Sequence, residues 1–182
     1  MSQRLIRRTV NQSRNSIADL LEVVIVGELL APGTRLLLVS PWLSDMPVID
    51  NRSGRYGQLD SRWGATRIRF SETLRALLLR GTTLDLACRT GAREQEFVDR
   101  LRRAVEGDGT DSLLRVHQDP ALVYLEQEHG KALVADNWAL HGSMNFTYSG
   151  VEINGEIVTF TTDAEQVSAL AAELAPLFGE EQ

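Results

Sequence analysis

The chain has 182 residues, of which 43% are hydrophobic and 24% charged, and its formal net charge at pH 7 is −6. This composition is typical of a globular protein with an ordinary core, and we expect a single domain over residues 1–182. It excludes a membrane-spanning apolar run and, because Cys88 is the only cysteine, an internal disulfide. The first residues lack the apolar segment of a secretion signal, so we expect a cytoplasmic protein without membrane association.

Charge is distributed unevenly along the chain. Residues 1–80 contain 12 arginines and 7 acidic residues, a net charge of +5, whereas residues 81–182 have a net charge of −11. A polyanion would therefore meet the N-terminal half first. Of the 19 basic residues only Lys131 is a lysine, and its ammonium is a compact point charge unlike the planar guanidinium of arginine.

Hydrophobic periodicity predicts a helix followed by a buried strand near the start of the chain. Residues 17–30 have the apolar spacing of a helix, and residues 34–40 form the continuous apolar run of a strand buried on both faces. The loop that begins at Ser40-Pro41-Trp42 lies at the carboxyl end of this strand, where open α/β sheets commonly bind ligands. Trp42 is therefore a candidate substrate-binding residue, with a place in the core as the alternative.

Residues 46–66 lack apolar periodicity and are predicted to form a long loop. Three arginines in this loop, Arg52, Arg55 and Arg62, are interleaved with aromatic residues. Because arginine mixed with aromatic side chains suits phosphate contact and base stacking, the three are candidate substrate-binding residues. A solvated flap that binds nothing is the alternative interpretation.

The remaining segments continue the alternation of helices and strands. The pattern predicts helices at residues 71–80, 92–106 and 164–178, and strands at residues 83–88, 113–117, 122–125, 130–135, 138–143 and 156–162. A tight turn at Asp136-Asn137 joins two of these strands into a hairpin. With no internal repeat, this order predicts an α/β fold in which helices sandwich one mixed β-sheet.

The predicted hairpin carries the most distinctive chemistry in the sequence. Strand alternation puts His129 and Lys131 on one face, and the end of the partner strand puts Ser143 and Asn145 on a common face. These groups suit a phosphate, because Lys131 can neutralise charge while Ser143 and Asn145 donate hydrogen bonds to its oxygens. His129 can attack phosphorus or transfer a proton.

This hairpin resembles the active-site motif of the phospholipase D superfamily, which reads His-x-Lys, four residues, Asp, about six residues and Gly-Ser-x-Asn. The matching residues are His129, Lys131, Asp136, Gly142, Ser143 and Asn145. Five residues separate Asp136 from Gly142, which indicates a shortened turn. Ser40-Pro41-Trp42 and Asn145-Phe146-Thr147 also resemble this superfamily, especially its short bacterial members with one motif. The chain as a whole resembles small phospholipase D-like proteins of bacterial DNA-modification and phage-defence gene clusters.

The resemblance implies a phospholipase D-like layer sandwich and a metal-independent phosphodiesterase that needs no cofactor. Because the chain has a single motif, it also implies a homodimer with one active site on the twofold axis. One His129 would form a phosphohistidine and the other would protonate the leaving oxygen, while Lys131 and Asn145 hold the phosphoryl oxygens. An acidic residue after the asparagine orients the histidine in this superfamily, and by offset Glu156 fits better than Glu152.

We expect four further residues to serve the fold rather than the chemistry. The resemblance gives Asp136 a structural role at the hairpin turn. We interpret His117 and His141 as structural histidines, and Cys88 as a small side chain buried in an apolar strand.

We therefore expect a nuclease that acts on DNA, in a DNA-modification or phage-defence system whose other proteins are further partners. The basic N-terminal half and the loop arginines favour nucleic acid as the substrate. One alternative is a catalytically weak dimeric binding or scaffold subunit of a DNA-processing complex. The other is a phosphatidyl hydrolase or transferase, which needs access to a membrane.

Overall fold

The computed structural model describes residues 3–7, 16–122 and 130–179. His129 and all but the first residue of the predicted strand at 122–125 lie outside these ranges. The elements of the described residues are β1 (Gln3–Arg7), α1 (Ser16–Leu30), β2 (Arg35–Val39), β3 (Pro47–Asp50), β4 (Arg67–Arg69), α2 (Phe70–Leu78), β5 (Thr83–Cys88), α3 (Ala92–Asp108), β6 (Leu114–Gln118), β7 (Lys131–Ala135), β8 (Ala139–Gly142), α4 (Tyr148–Glu152), β9 (Ile157–Thr161) and α5 (Ala164–Leu174).

Seven of these strands form one mixed sheet in the order β1-β9-β8-β7-β2-β5-β6. β2, β5 and β6 are parallel, whereas β7 pairs with β2 in the antiparallel sense, with Ala132 opposite Val39. β8 then returns antiparallel to β7 and sets Gly142 opposite Lys131. The carboxyl ends of β2 and β5, the start of β7 and the end of β8 therefore meet at one end of the sheet.

Helices cover both faces of this sheet, which confirms the predicted fold class. On one face α1, α2 and α3 pack over buried side chains that include Leu36 and Leu38. On the other face α5 covers a smaller cluster that includes Leu37 and Val39. β2 is thus buried on both sides, as its continuous apolar run predicts. No helix among the described residues has the length and apolar character needed to span a bilayer.

The prediction of a continuous loop at residues 46–66 is wrong in part. Pro47–Asp50 pairs with Arg67–Arg69 as a two-stranded antiparallel ribbon, and Ile49 and Ile68 are buried in the core. The strands have four and three residues, too few to display an alternating pattern.

Smaller differences concern two short elements and two helix boundaries. β1 and α4 were not predicted; β1 leaves Leu5 69% exposed and thus shows no clear apolar alternation. α3 continues past its predicted end at residue 106 to Asp108, and Gly109 caps it in a left-handed conformation. The last predicted helix is α-helical only to Leu174, because a 3-10 turn with Pro176 follows it.

Asp136, His141 and Cys88 have contacts or burial that agree with a structural interpretation. The Asp136 carboxylate accepts hydrogen bonds from Thr34 N at 2.6 Å and Thr34 Oγ1 at 2.9 Å, which fastens the β7-β8 turn to the start of β2. His141 lies on the α5 face of the sheet, where burial lowers the pKa of its imidazole. Burial, assisted by the nearby Glu94 carboxylate, raises the pKa of the Cys88 thiol to about 12.

Gly142→Ala should destabilise the fold. Gly142 has a φ of +152°, and an added Cβ would lie 2.2 Å from the carbonyl oxygen of Ile157 in β9. We expect the free energy of unfolding, measured by urea denaturation, to fall by about 2 kcal/mol or more. The control is Gly107→Ala in α3, which meets nothing within 4 Å and should raise stability by up to about 1 kcal/mol. Equal effects of the two substitutions would contradict this account of Gly142.

Candidate active site at the strand ends

Lys131 is the first residue of β7 and is only 6% exposed. It lies on the same face of the strand as Leu133, whose side chain is in the core under α1, α2 and α3. Among the described residues no carboxylate pairs with its ammonium. Because a buried charge without a counterion is unfavourable, this position favours binding of an anion.

His129 precedes Lys131 by two residues and lies outside the described residues. Its place on the same face as Lys131 follows from strand alternation and stays a prediction.

Ser143 and Glu156 are in direct contact at the end of β8. The Ser143 hydroxyl donates a hydrogen bond to the Glu156 carboxylate and accepts one from Ile157 N at 3.1 Å. Glu156 is 8% exposed, and Asn154 Nδ2 lies 3.4 Å from its second oxygen. The hydroxyl proton of Ser143 is therefore engaged by Glu156 in this structure, and its expected donation to a phosphate stays a prediction.

Glu152, the alternative acidic candidate, is separated from this pair. It lines a cavity between α1 and the β3-β4 ribbon, together with Asp19 and Glu22. Glu156 is thus the acidic candidate that the structure brings to the end of β8.

Trp42 orients the candidate Asn145. The backbone N–H of Trp42 donates to Asn145 Oδ1 at 3.3 Å. Since the amide oxygen is engaged, the Nδ2 group remains to donate, and it has no acceptor among the described residues. Trp42 and Asn145 therefore meet at the end of the sheet where Lys131 lies.

Ser40, which is fully buried, ties together the two loops that carry these residues. Its hydroxyl donates to the Trp42 carbonyl at 2.6 Å and accepts from Phe146 N at 3.0 Å. A further bond, from Ser44 N to the Phe146 carbonyl at 3.1 Å, continues the contact. The loop after β2 and the loop after β8 are thus fixed relative to each other, a role that the sequence does not reveal for a single serine.

The structure does not bring Arg62 to this site. Its guanidinium bonds to Asp60 at 2.5 Å and lies 3.5 Å from Asp108, the last residue of α3. α3 begins beside the carboxyl end of β5 and runs back along the sheet, so Asp108 lies at the opposite end from Lys131.

Arg52 and Arg55 are also engaged elsewhere. Arg52 bonds to Asp50 at 2.6 Å, and Arg55 lies over the Tyr56 ring and 3.4 Å from Glu22. They follow the end of the β3-β4 ribbon that points away from the loop after β2. Trp63, an aromatic residue of the same loop, is 7% exposed and belongs to the core. The structure therefore does not bring the three arginines and Trp63 together with Trp42 and Asn145.

Sequence reasoning missed Arg89, which the structure places beside Trp42. Its guanidinium carbon lies 5.1 Å from the centre of the Trp42 ring. The sequence feature that could have indicated Arg89 is its position directly after β5, because β5 is parallel to β2 and ends at the same end of the sheet. No cluster of three or more metal-ligating side chains occurs in the described ranges.

Comparison with known proteins gives a family match over most of the chain. The family described as cardiolipin synthase, PLD-like domain, matches residues 69–178. No curated protein matches the sequence significantly.

Several solved structures share the fold. Polyphosphate kinase from Porphyromonas gingivalis superposes on all of this chain with a TM-score of 0.65 at 14% identity, although the chain spans only 26% of that protein. The phospholipase D family member Nuc from Salmonella typhimurium is 13% identical, with a TM-score of 0.60 over 100% of this chain and 96% of Nuc. NucT from Helicobacter pylori is 12% identical, with a TM-score of 0.58 over 98% of this chain and 96% of NucT. At these identities the likeness concerns the fold.

Ser40→Ala should weaken the contact between the two site loops. The substitution removes two hydrogen bonds and leaves Phe146 N buried without an acceptor, so we expect unfolding in urea to require about 1–3 kcal/mol less free energy. Ser44→Ala is the matched control, because the Ser44 hydroxyl accepts a single, exposed bond from Tyr148 N and its loss should cost under about 1 kcal/mol. A Ser40 variant as stable as the wild type would refute the role given to this hydroxyl.

Proposed function

This chain belongs to the phospholipase D-like family, and from that premise we propose that it is a metal-independent phosphodiesterase, a nuclease that cleaves DNA at a site shared by two copies of the chain. The observation that carries the proposal is the buried Lys131 at the sheet end, where Asn145 and Glu156 also lie. The full-length likeness to Nuc and NucT supports the nuclease class within the superfamily.

The proposed reaction has two steps at phosphorus. A ring nitrogen of one His129 attacks phosphorus, the bond from phosphorus to the leaving oxygen breaks, and His129 of the partner subunit gives that oxygen a proton. Water then attacks the phosphohistidine while the partner's His129 takes up the proton of the water. The bond between phosphorus and nitrogen breaks, and both histidines return to their starting state.

The other side chains act on charge and orientation. The ammonium of Lys131 neutralises the non-bridging oxygens, whose negative charge grows in the transition state. Asn145 donates through Nδ2 because its Oδ1 is held by Trp42 N. Glu156, held by Ser143, would fix the tautomer of His129 by accepting from its second ring nitrogen.

The proposed dimer follows from the stoichiometry of this reaction. Two histidines are needed, and the sequence contains one His-x-Lys motif, so a second copy of the chain supplies the second histidine. A place in a DNA-modification or phage-defence system extends the proposal and follows only from the resemblance of the motif.

Substitution of His129 should abolish cleavage. We expect the wild type to cut labelled single- or double-stranded DNA in the presence of EDTA, and His129→Ala to reduce the rate at least about 1,000-fold because the nucleophile is gone. His117→Ala is the matched control, since His117 is an exposed residue of β6 and its loss should leave the rate unchanged. Cleavage that requires a divalent ion, or that persists in His129→Ala, would overturn the proposed mechanism.

The shared site is tested with a heterodimer of one wild-type chain and one His129→Ala chain, purified through two affinity tags. A shared site predicts that this heterodimer is inactive. Two independent sites predict about half of the wild-type activity.

A second candidate function is phosphatidyl hydrolysis or transfer. The description of the matching family, which names cardiolipin synthase, favours it. Flotation with vesicles of phosphatidylglycerol and cardiolipin, followed by an assay for head-group release, distinguishes it from DNA cleavage. If the wild type acts on neither DNA nor vesicles, the chain is a binding or scaffold subunit, the remaining alternative.

A further inference from the structure

Arg89 lies at the same end of the sheet as the proposed site, directly after β5. Its backbone N–H donates to the Pro41 carbonyl at 3.2 Å, which joins it to the loop after β2. Its guanidinium lies over Trp42, and Trp42 N in turn contacts Asn145. Trp42 therefore contacts both Arg89 and Asn145, whose amide is proposed to bind the phosphate.

The guanidinium of Arg89 is anchored at one side and open at the other. Its Nε lies 3.4 Å from Glu94 Oε2, and the Glu94 side chain is only 1% exposed. The second oxygen of Glu94 lies 3.4 Å from Leu43 N, so the carboxylate is fixed from two elements. The side chain of Arg89 keeps 30% of its surface exposed, and its terminal nitrogens have no hydrogen-bond acceptor among the described residues.

The arginines that bond to carboxylates elsewhere in the structure are used differently. Their guanidinium groups donate hydrogen bonds to acidic side chains, as in the pairs Arg35 with Asp85, Arg52 with Asp50, Arg62 with Asp60 and Arg75 with Asp108. Carboxylates of the protein itself thus largely neutralise the charge of these arginines. Arg89 instead has a planar fork held in place by an ion pair and an aromatic ring, and its terminal nitrogens donate to no described group.

We propose that Arg89, stacked on Trp42, binds the phosphate next to the scissile phosphate and so selects polymeric phosphodiesters as substrates. The inference rests on the proposed nuclease function and assigns it a substrate-binding residue. A guanidinium fork matches the geometry of a phosphate, and the stacked ring limits the side-chain freedom that binding would otherwise have to remove. The ring beside it offers a surface for a neighbouring base.

The test measures binding rather than cleavage, so that its failure can be distinguished from failure of the proposed reaction. All proteins carry His129→Ala, and the affinity for a fluorescein-labelled single-stranded oligodeoxynucleotide is measured by anisotropy in EDTA at several salt concentrations. Adding Arg89→Gln should weaken binding and lower the slope of log K against log salt by about 0.7, the value for one phosphate contact on a single strand. Arg89→Lys should keep the slope, because its charge remains.

The matched control is Arg93→Gln, which removes the same charge from an exposed residue of the first turn of α3 and should leave the slope unchanged. Because loss of Arg89 leaves the buried Glu94 unpaired, the double variant Arg89→Gln/Glu94→Gln is measured beside Glu94→Gln. The double variant should again have the lower slope. Equal slopes in these pairs, the same loss in Arg93→Gln, or no binding by the parent protein would overturn the assignment.

Discussion

The antiparallel pairing of β7 with β2 is the constraint on which the candidate site depends. In a wholly parallel sheet, the start of β7 would lie at the opposite end from the loop after β2. Because β7 runs against β2, Lys131 begins its strand beside the end of β2, and the hairpin returns Gly142 to a position opposite Lys131. Asp136 secures this arrangement from the far end by bonding to Thr34. The residues of one short motif and those of a loop 90 or so positions earlier thus share one end of the sheet.

Local contacts then convert this shared position into a chemical arrangement. Ser40 joins the two loops, Trp42 N holds the oxygen of Asn145, and Ser143 holds the carboxylate of Glu156. Because Trp42 N engages only the oxygen of Asn145, the Nδ2 group remains a donor at the end of the sheet where the nearly buried ammonium of Lys131 lies. Supporting groups that hold one side of a functional side chain suit the preorganised phosphate site that we propose.

The sequence predicts most of this fold because its long elements bury strong apolar patterns. The run at β2 and the helical spacing of α1 and α3 leave little ambiguity, and the Asp136-Asn137 turn marks the hairpin. The β3-β4 ribbon is too short to show such a pattern, so the sequence does not predict it. The site motif could be found by its spacing, whereas the loop arginines could not be placed. Arg52 and Arg62 pair with acidic residues two positions away, but Arg55 and Arg62 also reach Glu22 and Asp108, which are distant in sequence. The sequence does not single out Arg89, because its candidacy depends on a contact with Trp42 that only the folded structure shows.

Covalent capture of the intermediate tests the central claim most directly. The protein is mixed with a DNA substrate, quenched at a pH that preserves phosphohistidine, and digested for peptide mapping by mass spectrometry. The account predicts a nucleotide adduct on the peptide that contains His129, absent when His129 is replaced by alanine and diminished when Lys131 is replaced by methionine. Cleavage of DNA without any adduct on that peptide, or an adduct on another residue, would contradict it.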